Sequence, residues 1–151
     1  MVGGLGWGNS RAGPRPGRRM RTIASDLDVE IRNGVGAPGS ARRAVRRLAD
    51  RLPQARLEGL QLMVSELVTN SVRHAGMGPD GHIRVRVRLA HDTIRLEVTD
   101  GGPGFVPPRL EPSVYSESGW GLYLVDQISD RWGVRSRPTT CVWLELDARS
   151  S

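Results

Sequence analysis

The sequence predicts an α+β domain: a two-layer α/β sandwich whose mixed, mostly antiparallel sheet carries its helices on one face. Three observations lead there. DLDVEIR (26–32), HIRVRVRLA (82–90), TIRLEVTD (93–100), WGVRSR and TTCVWLELD alternate apolar and polar residues with the period of a half-buried strand. Only His91 and Asp92 separate the second run from the third, which makes the two a hairpin. The remaining ordered stretches carry the 3.6-residue period of helices, two before this hairpin and one after it.

Composition sets the bounds. At 151 residues the chain is long enough for one domain with a proper core and short for two. It contains no apolar run approaching transmembrane length and no secretory start, so a cytoplasmic protein without a membrane association is expected. The single cysteine, Cys141, excludes an internal disulfide framework, and with no cluster of His or Cys around it the expectation is a small core residue on a strand. The 22 basic residues, all arginine, exceed 16 acidic ones to give +6. Part of that excess is local: Arg11, Arg15, Arg18, Arg19 and Arg21 crowd the beginning among Gly and Pro. Such a stretch cannot bury enough apolar area to offset its ordering entropy, so residues 1–20 read as a disordered leader and 21–151 as the domain.

The first strand is followed by the loop NGVGAPGS, which ends in Ser40. Ser40 is a suitable cap for a helix through ARRAVRRLADRL, with Ala41, Ala44, Val45, Leu48 and Leu52 on the apolar stripe. Arg42, Arg43, Arg46 and Arg47 crowd its other side, as a solvated face or as a docking surface for an acidic partner. Pro53 opens the second helix, having no amide hydrogen to lose, and Gly76 ends it in the left-handed conformation.

That second helix contains VSELVTNSVRHAG (64–76), whose wheel has two sides. Leu57, Leu60, Leu67, Val68, Ser71 and Ala75 fall within about sixty degrees of Val64, an ordinary core stripe. Glu66, Asn70 and Arg73 lie opposite, with His74 between, yet Leu62 and Met63 sit beside this polar set. Glu66 and Asn70 are one turn apart and project side by side.

After the hairpin, whose arginines suggest that one side of the sheet meets water, the pattern breaks at DGGPGFVPPRLEPSVYSESGWG. A loop of that length inside one domain is functional or disordered. From Gly121 the residues Leu122, Leu124, Val125 and Ile128 suit a helix to about Asp130, before the closing strands around Arg137 and Pro138. The polar cleft then belongs between the second helix and the glycine-rich loop.

Read together, ELVTNSVRHAG (66–76), DGGPGF (100–105) and SGWGLYLV (118–125) resemble, in order and setting, the N, G1 and G2 boxes of the ATPase superfamily of gyrase, the heat-shock chaperone, histidine kinases and mismatch-repair proteins. The small size and the short loop between the glycine boxes narrow the resemblance to anti-sigma factor serine/threonine kinases of the RsbW and SpoIIAB type, over roughly residues 26–147. Each box alone is weak, whereas three in order on the right elements are strong.

The resemblance implies a Bergerat-type ATP-binding fold with ATP and Mg²⁺ as cofactors, and it assigns roles. Asp100 accepts the adenine amine, a task suited to an acceptor-only group. Gly102 and Gly104 let the backbone pass close to the purine. Gly119 and Gly121, with the amide of Leu122, precede a helix whose exposed N–H groups suit phosphate. Asn70 offers Mg²⁺ a hard amide oxygen, and Glu66 polarises the attacking hydroxyl or water. Arg73 and His74 touch phosphates or hold the lid, with a structural hydrogen bond near the helix end as the equal alternative for His74, and Thr140, with Thr139, stands where the superfamily places a hydroxyl beside adenine. Arg137 and Pro138 replace the glycine-led pattern usual there, and Trp120 is an unusual residue between two phosphate-loop glycines.

The implied function is an anti-sigma factor that phosphorylates an anti-sigma antagonist on Ser or Thr, with a sigma factor as its other partner and a homodimer as a family trait. The alternative is a non-catalytic module in which nucleotide switches a protein interface. Nucleic-acid binding through the arginine excess ranks below both, because the chain shows neither a recognition helix nor an aromatic stacking motif.

Overall fold

A computed structural model describes residues 25–102 and 120–149. The leader read at 1–20, Gly104, Gly119 and most of the long glycine-rich loop lie outside the described residues. In chain order the elements are β1 (Leu27–Arg32), α1 (Ala37–Val45) continued by a 3-10 turn (Arg46–Arg51), α2 (Gln54–His74), β2 (His82–Leu89), β3 (Thr93–Asp100), α3 (Trp120–Ile128), β4 (Arg131–Arg135) and β5 (Thr140–Asp147). The strands form one sheet in the order β1-β2-β3-β5-β4. All four pairings are antiparallel, so the sheet is simpler than the mixed one expected.

Register explains the two layers. Val85 pairs with Val98, Val98 with Val142, and Val142 with Val134; one step along, Val87, Leu96, Leu144 and Trp132 form a second row. These side chains are buried against Leu60, Val64, Leu67 and Val68 of α2 and Ala41 and Val45 of α1. Burying a Val or Leu contributes about 1.5–3 kcal/mol, which makes these rows the main source of stability. Because strand side chains alternate, the residues between them form the sheet's outer face. That face is ionic: Arg84 forks onto Asp28 at 2.7 Å through Nε and Nη2, and Arg95 bridges Glu97 at 2.9 Å and Glu145 at 2.8 Å.

Three local expectations are corrected. α1 begins at Ala37, ahead of Ser40, because Pro38 fits a first helical turn. Ser40 Oγ is no cap; it accepts a hydrogen bond from Arg43 at 3.1 Å. Cys141 is buried but outside the apolar core: paired with Arg135 and Thr99, it lies on the ionic face, 3.4 Å from the Arg135 guanidinium. The odd-numbered residues of β5 point away from the helices, and alternation around Val142 and Leu144 carried that information.

The end of α2 follows expectation. Pro53 precedes it in an extended conformation, Ala75 closes it with an N–H to Ser71 O bond of 3.1 Å, and Gly76 has φ 65°. The hairpin also closes over His91 and Asp92, with Ala90 and Thr93 bonded to each other. Among the described residues no helix is long and apolar enough to cross a membrane.

Candidate functional site

The second side of α2 is a contact side. Met63 is fully buried, and on its side of the helix Glu66 and Asn70 meet the first turn of α3. A β-carbon on Gly121 would stand 3.1 Å from Glu66 Oε2 and 3.2 Å from Asn70 Nδ2, so glycine permits this approach. Leu62 is different: it is 41% exposed and is not part of the core cluster among the described residues. Glu66 and Asn70 are half-buried, and neither has a hydrogen bond or ion pair among the described residues. Half-buried polar groups lacking protein partners rely on water or a ligand for their hydrogen bonds.

The end of α2 meets the DGG turn. Asp100 closes β3 on the core-facing side, in register with Thr140 of β5, and both are buried. Asp100 Oδ1 accepts the Gly102 N–H at 2.8 Å, an Asx-type turn, while Thr140 Oγ1 donates to the Gly102 carbonyl at 3.0 Å. Side chains from two strands therefore hold both backbone polar groups of one residue, Gly102. This turn role leaves Asp100 open to a ligand role as well, because Oδ2 has no hydrogen bond among the described residues. A β-carbon on Gly102 would lie 2.8 Å from Asp100 Oδ1 and 3.0 Å from both Cα and Cβ of Ala75. Ala75 thus props the turn, a role its place on the apolar stripe did not disclose.

The other candidate residues are spread more widely. Leu122 points into the hydrophobic core, so only its backbone at the start of α3 faces the site. Arg73 and His74 are exposed at the end of α2 without a hydrogen bond or ion pair among the described residues, and Thr139 is exposed beside buried Thr140. The described residues contain no group of three or more His, Cys, Asp or Glu side chains able to hold a metal by themselves. That donor set suits a Mg²⁺ ion taking one amide oxygen from Asn70 and most other ligands from phosphate and water.

Comparison with known proteins bears on the family and the fold. The family description histidine kinase-like ATPase domain matches residues 36–146. An uncharacterised protein of Streptomyces coelicolor is 40% identical over 76 residues, covering 49% of this chain and 70% of its own length. The serine-protein kinase RsbW of Listeria monocytogenes serovar 1/2a is 42% identical over 86 residues, and that of Listeria innocua 33% over 86 residues. Each match covers 49% of this chain, and the chain spans 55% of either kinase. In structure the chain resembles the catalytic domain of histidine kinase ThkA in a nucleotide-free form, with a TM-score of 0.50 at 15% identity, over 80% of this chain and 97% of that one. This last likeness concerns the fold.

Proposed function

From the premise that the chain belongs to the histidine kinase-like ATPase domain family, on its RsbW-type branch, we propose that it is an ATP-dependent protein serine/threonine kinase acting as an anti-sigma factor. Its substrate is an anti-sigma antagonist, its other partner a sigma factor, and its place of action the cytoplasm. The observation that carries the reading is that α2 joins two half-sites. Asp100 offers an unbonded carboxylate oxygen at one end, and Glu66 with Asn70 stand at the start of α3 at the other.

The chemistry follows from those groups. Asp100 Oδ2 accepts a donor on the base, and Gly102, whose β-carbon would strike Ala75 and the Asp100 carboxylate, keeps the turn that aims that carboxylate and is assigned to the purine. The N-terminal amides of α3 favour anionic oxygen, and Gly104, Gly119, Arg73 and His74 are assigned to the same nucleotide. Bound ATP and Mg²⁺ supply the transferable γ-phosphoryl group and neutralise its charge. Asn70 holds the ion. Glu66 accepts the proton of the antagonist's Ser or Thr hydroxyl as that oxygen bonds to phosphorus and ADP leaves.

A thermal shift with ATP and Mg²⁺ tests the binding half. Stabilisation of the wild type, reduced in Asp100→Ala and Asn70→Ala, is expected; an unshifted wild type sinks the proposal. Incubation with labelled ATP and a candidate antagonist tests the transfer half. Stable antagonist binding without label transfer would replace the kinase by a nucleotide-dependent switch.

A further inference from the structure

The outward face of β2 has more cations than its neighbours can satisfy. Ile83, Val85 and Val87 point into the core, so Arg84, Arg86 and Arg88 point away from it, on the face opposite the described helices. Asp28 is occupied by the Arg84 fork, and Arg86 reaches it only at 3.9 Å. Glu97 and Glu145 are engaged by Arg95. Arg88 stands directly across from Arg95 and has no hydrogen bond or ion pair among the described residues. The Nε atoms of Arg86 and Arg88 are buried without a hydrogen-bond partner. Like charges paired across strands oppose folding, and so do unsatisfied buried donors, so this stretch gains from an external acceptor.

We propose that the outward face of β2, centred on Arg86 and Arg88, docks an extended acidic segment of a partner protein. Charge is the first argument: Arg86 shares Asp28 with the Arg84 fork and faces Glu97, itself engaged by Arg95, while Arg88 faces Arg95, so the two neighbouring guanidinium groups exceed the carboxylates left to them. Spacing is the second, because residues two apart on a strand lie about 6.5–7 Å from each other, the repeat at which an extended peptide presents alternate side chains. Carboxylates at alternate positions of such a segment meet both arginines.

Nucleic acid fits this face less well. Asp28 and Glu97 interrupt any continuous path for a phosphate backbone. The neighbouring aromatic ring is also covered: Trp143 packs on Gly133, and the Arg95 guanidinium lies over the ring at 4.5 Å. It therefore offers no open platform for a base. A second copy is disfavoured because an isologous contact would set the same surplus against itself. The docking requires nothing from the nucleotide site, so either proposal can fail without the other.

The test uses the full chain and a fluorescent peptide of alternating Glu and Ser, read by anisotropy at about 50 and 200 mM salt. Binding that weakens with salt is expected, with about a tenfold loss in Arg86→Ser/Arg88→Ser and less than about a twofold loss in the α1 control Arg46→Ser/Arg47→Ser. Arg88→Glu should exchange the preference toward an alternating Lys and Ser peptide, which shows that charge rather than folding is being read. Circular dichroism verifies that each variant is folded. Unchanged affinity in the β2 double variant, or a larger loss in the α1 control, overturns the proposal. So does duplex DNA that outcompetes the peptide in an Arg86- and Arg88-dependent way, or a dimer that the β2 double variant dissociates.

Discussion

The two contacts of α2 differ in how complete they are. At its C-terminal end the DGG turn is fixed from three sides, by Asp100, Thr140 and Ala75. In its middle, Glu66 and Asn70 face Gly121 at close range with no hydrogen bond of their own among the described residues. One end is assembled by the fold, so its geometry precedes any ligand; the other has its donors and acceptors left over. That division suits a site that reads a base by shape and handles phosphate and metal by ligation. It also means that changes at the two ends should fail differently.

The largest effect is expected in the middle. Glu66→Gln keeps the size of the side chain and removes the proton acceptor, so phosphoryl transfer should fall by about 10²–10⁴-fold while ATP affinity changes little. Single-turnover transfer beside a binding isotherm makes the distinction, and parallel losses in both would place Glu66 among the binding groups only. Next comes Asp100→Ala. A charge-assisted hydrogen bond contributes about 1.5–3 kcal/mol, so nucleotide affinity should drop by roughly one to two orders of magnitude. Calorimetric titration reads that directly.

Paired glycine substitutions compare the ends more closely. At Gly102 a methyl group meets the backbone of Ala75 and the carboxylate that defines the turn, neither of which can yield cheaply. Gly102→Ala should therefore cost about 1–3 kcal/mol of stability. At Gly121 the methyl meets the ends of the Glu66 and Asn70 side chains, which can rotate aside, and the Glu66 β-carbon at 3.3 Å, which asks for a shift of a few tenths of an ångström. Gly121→Ala should cost less than about 1 kcal/mol and act chiefly on transfer. Urea unfolding of the two variants would reverse the comparison if Gly121→Ala proved the more destabilising.

Much of this arrangement is legible in the sequence because it rests on periodicity and punctuation. Alternation marks the hairpin, Pro53 and Gly76 bracket α2, and the DGG motif signals a turn at the end of a strand. What stays hidden depends on three-dimensional neighbours. Met63 looks misplaced on a wheel because a wheel shows one helix and not the neighbouring elements whose core cluster Met63 joins. The same limit conceals Ala75 as the prop of Gly102 and the hydroxyl of Thr140 as the holder of its carbonyl. Cys141 is misread for a different reason: its hydrophobic character outweighs, in a residue-by-residue reading, the parity of its position on β5.

The smallest effect belongs to the ionic face, away from both contacts of α2. Burial pushes the Glu97 carboxyl up, but the hydrogen bond from Arg95 and the charges of Arg95, Arg135 and Arg88 together outweigh it and hold the carboxyl below its ordinary value. A carboxyl whose folded value is depressed stabilises the fold above its unfolded value, and that stabilisation disappears as pH falls through the folded one. The thermal midpoint should therefore fall as pH is lowered below about 4.3, the ordinary glutamate value. Glu97→Gln removes this titration and should flatten the slope by an amount on the order of a few degrees, leaving nucleotide binding at neutral pH unchanged. An identical slope in the variant would assign the acid sensitivity to other carboxylates, Asp28 first among them, whose value is lowered by its hydrogen bond from Arg84.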